Sequence, residues 1–178
     1  MSIFGEASRS YIVGFFLLVT SFLLQLIGLC APFWRYIPRG EGLYYITGLW
    51  ITCLHSTEKK ICGNVFEDGV EDPKTWKLCQ ASSTVSLVAL LIAVICAILK
   101  MFVLKDDVKN LKTVGVCCCF IGGGFSLIGT AAFSYMEGSC SFAGVIVFAA
   151  WVNLHVSFVF CIIAAITSVV SAVLWIVG

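Results

Sequence analysis

The sequence predicts a membrane α-protein: a bundle of four transmembrane helices with a small antiparallel β-sheet built from its outer loops. Two observations lead there. Of 178 residues, 60% are hydrophobic and only 12% are charged, and the charges avoid four long stretches almost completely. Soluble domains carry about 25% charged residues, and a soluble chain of this length has too much surface to hide such an apolar excess. The lipid bilayer is the solvent that accommodates it. The net charge of +1 gives no electrostatic footing for a nucleic-acid partner. A single membrane domain over residues 1–178 is expected.

Residues 11–31 contain no Asp, Glu, Lys or Arg, residues 81–104 contain one (Lys100), and residues 113–136 contain none. A helix needs about 20 apolar residues to cross the hydrocarbon core, so each stretch spans once. The last uncharged run, residues 142–178, is too long for one crossing and too short for two; it reads as one helix, about 144–177, with extra apolar residues at its ends. The first span is too long for a signal-peptide core, and Ala31-Pro32-Phe33-Trp34 is a poor cleavage site. Loops are then expected at about 32–80, 105–112 and 137–143. Arg9, Lys100, Lys105, Lys109 and Lys112 fall on one side of this topology. By the positive-inside rule that side is cytoplasmic, which places both termini inside and suggests a multi-pass plasma-membrane protein.

The first outer loop is long enough for structure of its own. Residues 42–53 are rich in aromatic and β-branched residues, which favour strands. Gly63-Asn64, Glu67-Asp68-Gly69 and Asp72-Pro73 read as turns. Cys53 and Cys62 have eight residues between them. An outer face is oxidising, so neighbouring cysteines there tend to pair, and a hairpin brings two residues within disulfide reach. The alternatives are free thiols or a zinc site with His55, the latter short of a fourth ligand.

Trp34, Gly48-Leu49-Trp50, Cys53 and Cys62 together read W…G-L-W-x-x-C-x8-C. This resembles the signature of the claudin family and its relatives: peripheral myelin protein, the epithelial membrane proteins and the channel γ subunits. Leu78-Cys79-Gln80-Ala81 resembles the family's entry to its second helix, and Phe142-Ala143-Gly144…Trp151 its entry to the fourth. The resemblance implies a left-handed four-helix bundle under a sheet from both outer loops. It places the disulfide between neighbouring strands, and it sets Trp34 and the Gly48-Leu49-Trp50 turn at the membrane surface as anchors. The sequence departs from the family at Ser82-Ser83, where an Arg is usual, and at Leu54 and Gly63, where charge-selective members carry charges. Claudin tails usually end in a short scaffold-binding peptide; the sequence stops at Trp175-Ile176-Val177-Gly178 without one, being either truncated there or of a tail-less branch, so scaffold docking has no support in it.

Other features have structural and functional readings. Cys79 and Cys140 sit near the outer face and form a candidate second disulfide. Cys117-Cys118-Cys119, placed at the cytoplasmic start of the third helix, could be S-palmitoylated or serve as small packing residues. Gly122-Gly123-Gly124 lacks the Gly-Lys-Ser/Thr of a phosphate loop and, with Ser126 and Thr130, suits close helix packing. Gln25, Asn153 and His155 are expected to hydrogen-bond neighbouring helices. No catalytic constellation, cofactor site or small-molecule substrate site is legible. A non-enzymatic protein is therefore expected, acting in cell–cell adhesion or barrier formation. Its partners would be other membrane proteins: like copies or, in the alternative role of an auxiliary subunit, an ion channel or receptor.

Overall fold

The computed structural model describes residues 9–40, 42–56, 59–65, 73–103, 109–136 and 156–178. Within them lie four long helices, α1 (Arg9–Cys30), α2 (Pro73–Ile98), α3 (Lys109–Met136) and α4 (Val156–Val177). All are long and apolar enough to cross a bilayer. The chain's three prolines are Pro32, Pro38 and Pro73, so no helix interior loses a backbone donor or meets a ring clash. α1 packs along α4 and α2 along α3, and the α3–α4 and α1–α2 contacts close the ring.

The side chains are sorted for lipid. Large apolar residues such as Phe16, Ile27, Val88, Ile95, Phe120, Ile128, Ile166 and Val173 point outward, while Ala93, Ala97, Ala164, Ser168 and Ala172 are buried between helices. Water would favour the reverse. In a bilayer the outside is as apolar as Leu, so association rests on close backbone approach and interhelical hydrogen bonds. α3 shows the first device. A Cβ added to Gly122 would lie 2.8 Å from Leu90 Cγ on α2, and one added to Gly129 would lie 2.6 Å from Ser82 Oγ. These two glycines are seven residues apart, two turns of one face, and Gly122, Ser126 and Thr130, at the four-residue spacing that suits close packing, are all buried.

Hydroxyls and one carboxamide supply the second device. Ser21 Oγ donates to Ala164 O (2.6 Å), Ser171 Oγ to Gly14 O (2.7 Å) and Ser86 Oγ to Gly122 O (2.7 Å). Gln25, fully buried, joins all four helices. Its Oε1 accepts from Ser126 Oγ (2.9 Å), whose oxygen also lies 2.9 Å from Cys161 O, and its Nε2 reaches Ser83 O at 3.4 Å. This polar waist separates two apolar clusters, one around Trp34, Trp76, Phe133 and Phe158, the other around Tyr11, Leu18, Leu90 and Trp175.

Between α1 and α2 lies a four-stranded antiparallel sheet, β1 (Arg35–Gly40), β2 (Leu43–Thr47), β3 (Ile51–His55) and β4 (Lys60–Asn64), in sequence order. Pro38 is tolerated because β1 is an edge of this order. The β1–β2 ladder shifts register between Pro38 and Gly40, and both Gly40 (φ 136°) and Gly42 (φ 74°) take backbone conformations open to glycine.

Several sequence-based boundaries are corrected. Residues 42–53, read as strand-forming, hold β2 and the first part of β3, with a bend between them at residues 48–50. Gly63-Asn64 is paired in β4 opposite Thr52 and Ile51, so it is strand and not turn. α2 begins at Pro73 rather than Ala81: a proline is well suited to the first helical position, and the added turns bury Trp76, Cys79 and Gln80 against the sheet. α3 begins at Lys109 rather than Thr113. α2 does not stay α-helical to residue 104; it passes at Leu99–Val103 into a π-helical segment. The expected start of the fourth helix near residue 144, the loop at 137–143, Asn153 and His155 lie outside the described residues.

Gln25→Leu keeps the volume and removes the carboxamide while Ser126 retains Cys161 O. It is expected to cost about 1 kcal/mol, measured by denaturing-detergent titration of the purified bundle.

Candidate functional site

The strongest sequence motif converges where sheet and bundle meet. Trp34, directly before β1, is fully buried. Its indole N–H donates to Gly28 O at the end of α1 (2.7 Å) and its amide to Thr47 O in β2 (3.0 Å). The ring packs edge-on against Phe133 of α3 (centroids 5.0 Å) and Phe158 of α4 (6.1 Å). One side chain therefore ties the first helix and the sheet to the other side of the bundle.

Leu49 is the second anchor. Its side chain is fully buried beside Trp34. Its carbonyl accepts two hydrogen bonds from the extended start of α2, from Trp76 Nε1 (2.9 Å) and Gln80 Nε2 (2.6 Å). The bend that presents this carbonyl is closed by the Gly48 amide donating to Ile51 O (2.8 Å). Position 48 has no room for a side chain: an added Cβ would sit 2.6 Å from Pro32 Cα and 3.1 Å from Ala31 O, both backbone atoms. Trp50 differs from its motif neighbours. It is 45% exposed, and its backbone carbonyl, not its ring, holds structure by accepting from Val65 N (3.3 Å).

Cys53 and Cys62 face each other across β3 and β4 and are joined by a disulfide, with Cα atoms 4.0 Å apart. Cys53 is buried and Cys62 exposed. His55 is not beside them as a ligand; it stacks flat on Tyr44 (4.8 Å, 9°), which in turn meets Tyr36 (5.3 Å). The other face of the sheet carries a row that the registers align across all four strands, Ile37–Tyr45–Leu54–Ile61. Arg39 lies over the Tyr45 ring at 5.8 Å, and Ile61 is 61% exposed.

Cys79 is buried in the Trp34 cluster; its suggested partner Cys140 lies outside the described residues. Cys117, Cys118 and Cys119 are not at a helix start, because α3 begins eight residues earlier, about 12 Å along its axis. They divide by face: Cys117 is exposed on the outside of the bundle, Cys118 is half-buried and Cys119 is buried between helices. Among the described residues no three His, Cys, Asp or Glu side chains are grouped to hold a metal ion.

Sequence reasoning singled out Trp34, Gly48 and Leu49 but missed Trp76, Phe133 and Phe158, which complete their packing. The signal for Trp76 was a lone aromatic three residues after Pro73, hidden while that segment read as loop. With this geometry in view, comparison with known proteins adds nothing: no family model matches the chain and no curated protein matches it.

Two outcomes follow from the anchor. Gly48→Ala forces Pro32 to move and is expected to destabilise the sheet by about 1–3 kcal/mol, read as faster proteolysis of the β1–β4 segment with the helices intact. Cys53→Ser, Cys62→Ser and the double variant remove the same bond. All three should lose a similar amount, about 2–4 kcal/mol, in the same assay; a single variant as resistant as wild type would show the bond to be dispensable.

Proposed function

We propose that this multi-pass membrane protein is a claudin-type, non-enzymatic adhesion or barrier protein, packing beside like copies in the plasma membrane and meeting its partners through the sheet. The observation that carries the reading is the apolar row Ile37–Tyr45–Leu54–Ile61 on a sheet fixed to the bundle. A partly exposed apolar stripe on a rigid surface is the feature of a protein contact, and a sheet held by Trp34, Leu49 and a disulfide loses little entropy on docking. The W…G-L-W-x-x-C-x8-C motif supports the family. Its anchoring residues have a reason to occur together, since Gly48 lets the backbone of Ala31 and Pro32 lie against the bend that presents Leu49 to the cluster around Trp34. On the positive-inside argument the sheet is extracellular and both termini are cytoplasmic.

The test is purification of the full chain in mild detergent from cells that express it naturally, followed by mass spectrometry and by imaging of the protein in cell contacts. Self-association into strands or clusters at contacts is expected. Ile61→Glu, at an exposed position that leaves the anchor intact, should abolish it while preserving surface expression. Stoichiometric recovery of a channel or receptor, with no self-association, would overturn adhesion in favour of an auxiliary-subunit role.

A further inference from the structure

The end of the bundle opposite the sheet holds charges and polar atoms that packing alone leaves unexplained. Lys100 belongs to the π-helical segment at the end of α2, and its ammonium sits over the Tyr11 ring at 5.4 Å. Tyr11, from the first turn of α1, stacks in turn on Trp175 from the last turn of α4 (4.9 Å, 18°). Gly115 of α3 backs the same indole, since a Cβ there would lie 2.8 Å from Trp175 Cζ3. Lys112 stands one turn nearer the end of the bundle, on the Gly115 face of α3. All four helices thus contribute to one aromatic floor; Lys100 lies over it, Lys112 is three residues before Gly115 on α3, and both lysines are half-buried.

Two kinds of valence are unmet at this floor. Tyr11 is 7% exposed and Trp175 0%, yet among the described residues neither the Tyr11 hydroxyl nor the Trp175 indole N–H has a hydrogen-bond partner. Among the described residues the ammonium groups also have no carboxylate partner. No Asp or Glu stands among the described residues of this end, and Arg9, exposed on the first turn of α1, adds a further positive charge. A half-buried ammonium at the edge of a hydrocarbon region extends to the interface or pairs with a counter-charge. The face of an aromatic ring supplies part of one. A π-helical turn is rare and recurs at functional sites; here it coincides with the residue that carries the lysine.

We infer that this end of the bundle binds the headgroup of an acidic phospholipid, whose phosphate is held by Lys100 and Lys112 above the Tyr11–Trp175 stack. A lipid rather than a dissolved anion is the occupant because the site opens on the outside of a membrane-spanning bundle. Phe102, two residues from Lys100, is exposed on that outer surface, where acyl chains would lie while the headgroup reaches the lysines. Basic clusters at the ends of membrane helices recognise acidic headgroups in this way. The inference is independent of the adhesion reading, since it concerns the opposite end of the molecule.

The experiment uses the full chain in nanodiscs of phosphatidylcholine, alone or with a minority of phosphatidylserine, and counts the lipids retained on the released protein by native mass spectrometry. The wild type should retain phosphatidylserine in preference to phosphatidylcholine. Lys100→Gln and Lys112→Gln should each weaken that retention roughly fivefold, with phosphatidylcholine unchanged as the check on folding. Lys59→Gln, on the sheet side, should bind as wild type. Equal retention of the two lipids by the wild type, or wild-type retention of phosphatidylserine in both lysine variants, would overturn the site. Release of the lipid by inorganic phosphate would overturn the lipid as its occupant.

Discussion

A bilayer offers no hydrogen-bonding partner, and the architecture follows from that constraint. Every backbone group of a span must be satisfied inside the protein, which makes the spans continuous helices and keeps proline out of their interiors. The same absence makes the few polar side chains valuable as links. Ser21, Ser86 and Ser171 donate to carbonyls of neighbouring helices, which can accept beyond their own helical bond. Because those bonds need short distances, small residues must line the contacts. The hydroxyl belt, the glycines of α3 and the alanines of α2 and α4 are therefore consequences of one solvent.

At the sheet end the problem is different. The small sheet cannot build a core alone, and the disulfide ties only β3 to β4. The sheet is stable because it borrows the bundle: Trp34, Leu49 and Val65 enter the cluster formed by Trp76, Phe133 and Phe158. The Leu49 carbonyl, exposed by a tight bend, would be costly to bury unmatched; two donors from α2 satisfy it. Extension of α2 back to Pro73 is what brings those donors there. Sheet and bundle thus form one unit, with the disulfide bracing β3 to β4.

The two ends of the molecule use aromatic residues in opposite ways. Near the sheet, the indole N–H groups of Trp34 and Trp76 are matched by carbonyls, and their rings lock elements together. At the other end, Tyr11 and Trp175 are stacked but, among the described residues, their hydroxyl and indole N–H are unmatched, beside a lysine on a π-helical turn. The first arrangement is what a rigid structural joint requires; the second sets aromatic polar atoms beside a positive charge.

The composition and the four uncharged stretches determined a four-span membrane chain, because the cost of charge in hydrocarbon is large and nearly independent of neighbours. The strand-forming loop and the Cys53–Cys62 pair were legible for a similar reason, since both rest on local chemistry. Boundaries beyond the hydrocarbon were not. Residues 73–80 and 109–112 carry lysines and read as loop, but they are helical because a helix continues wherever its inner face finds something to cover. The start of β3, and the division of roles among Trp34, Leu49 and Trp50, depended on a bend whose shape follows from the backbone of Pro32 lying against Gly48. Gln25 was visible as an oddity in an apolar span, but its partners on two other helices belong to no local pattern. The solvent was written in the sequence; contacts between segments far apart in the chain were decided only by the tertiary structure, because packing selects them and local propensity does not.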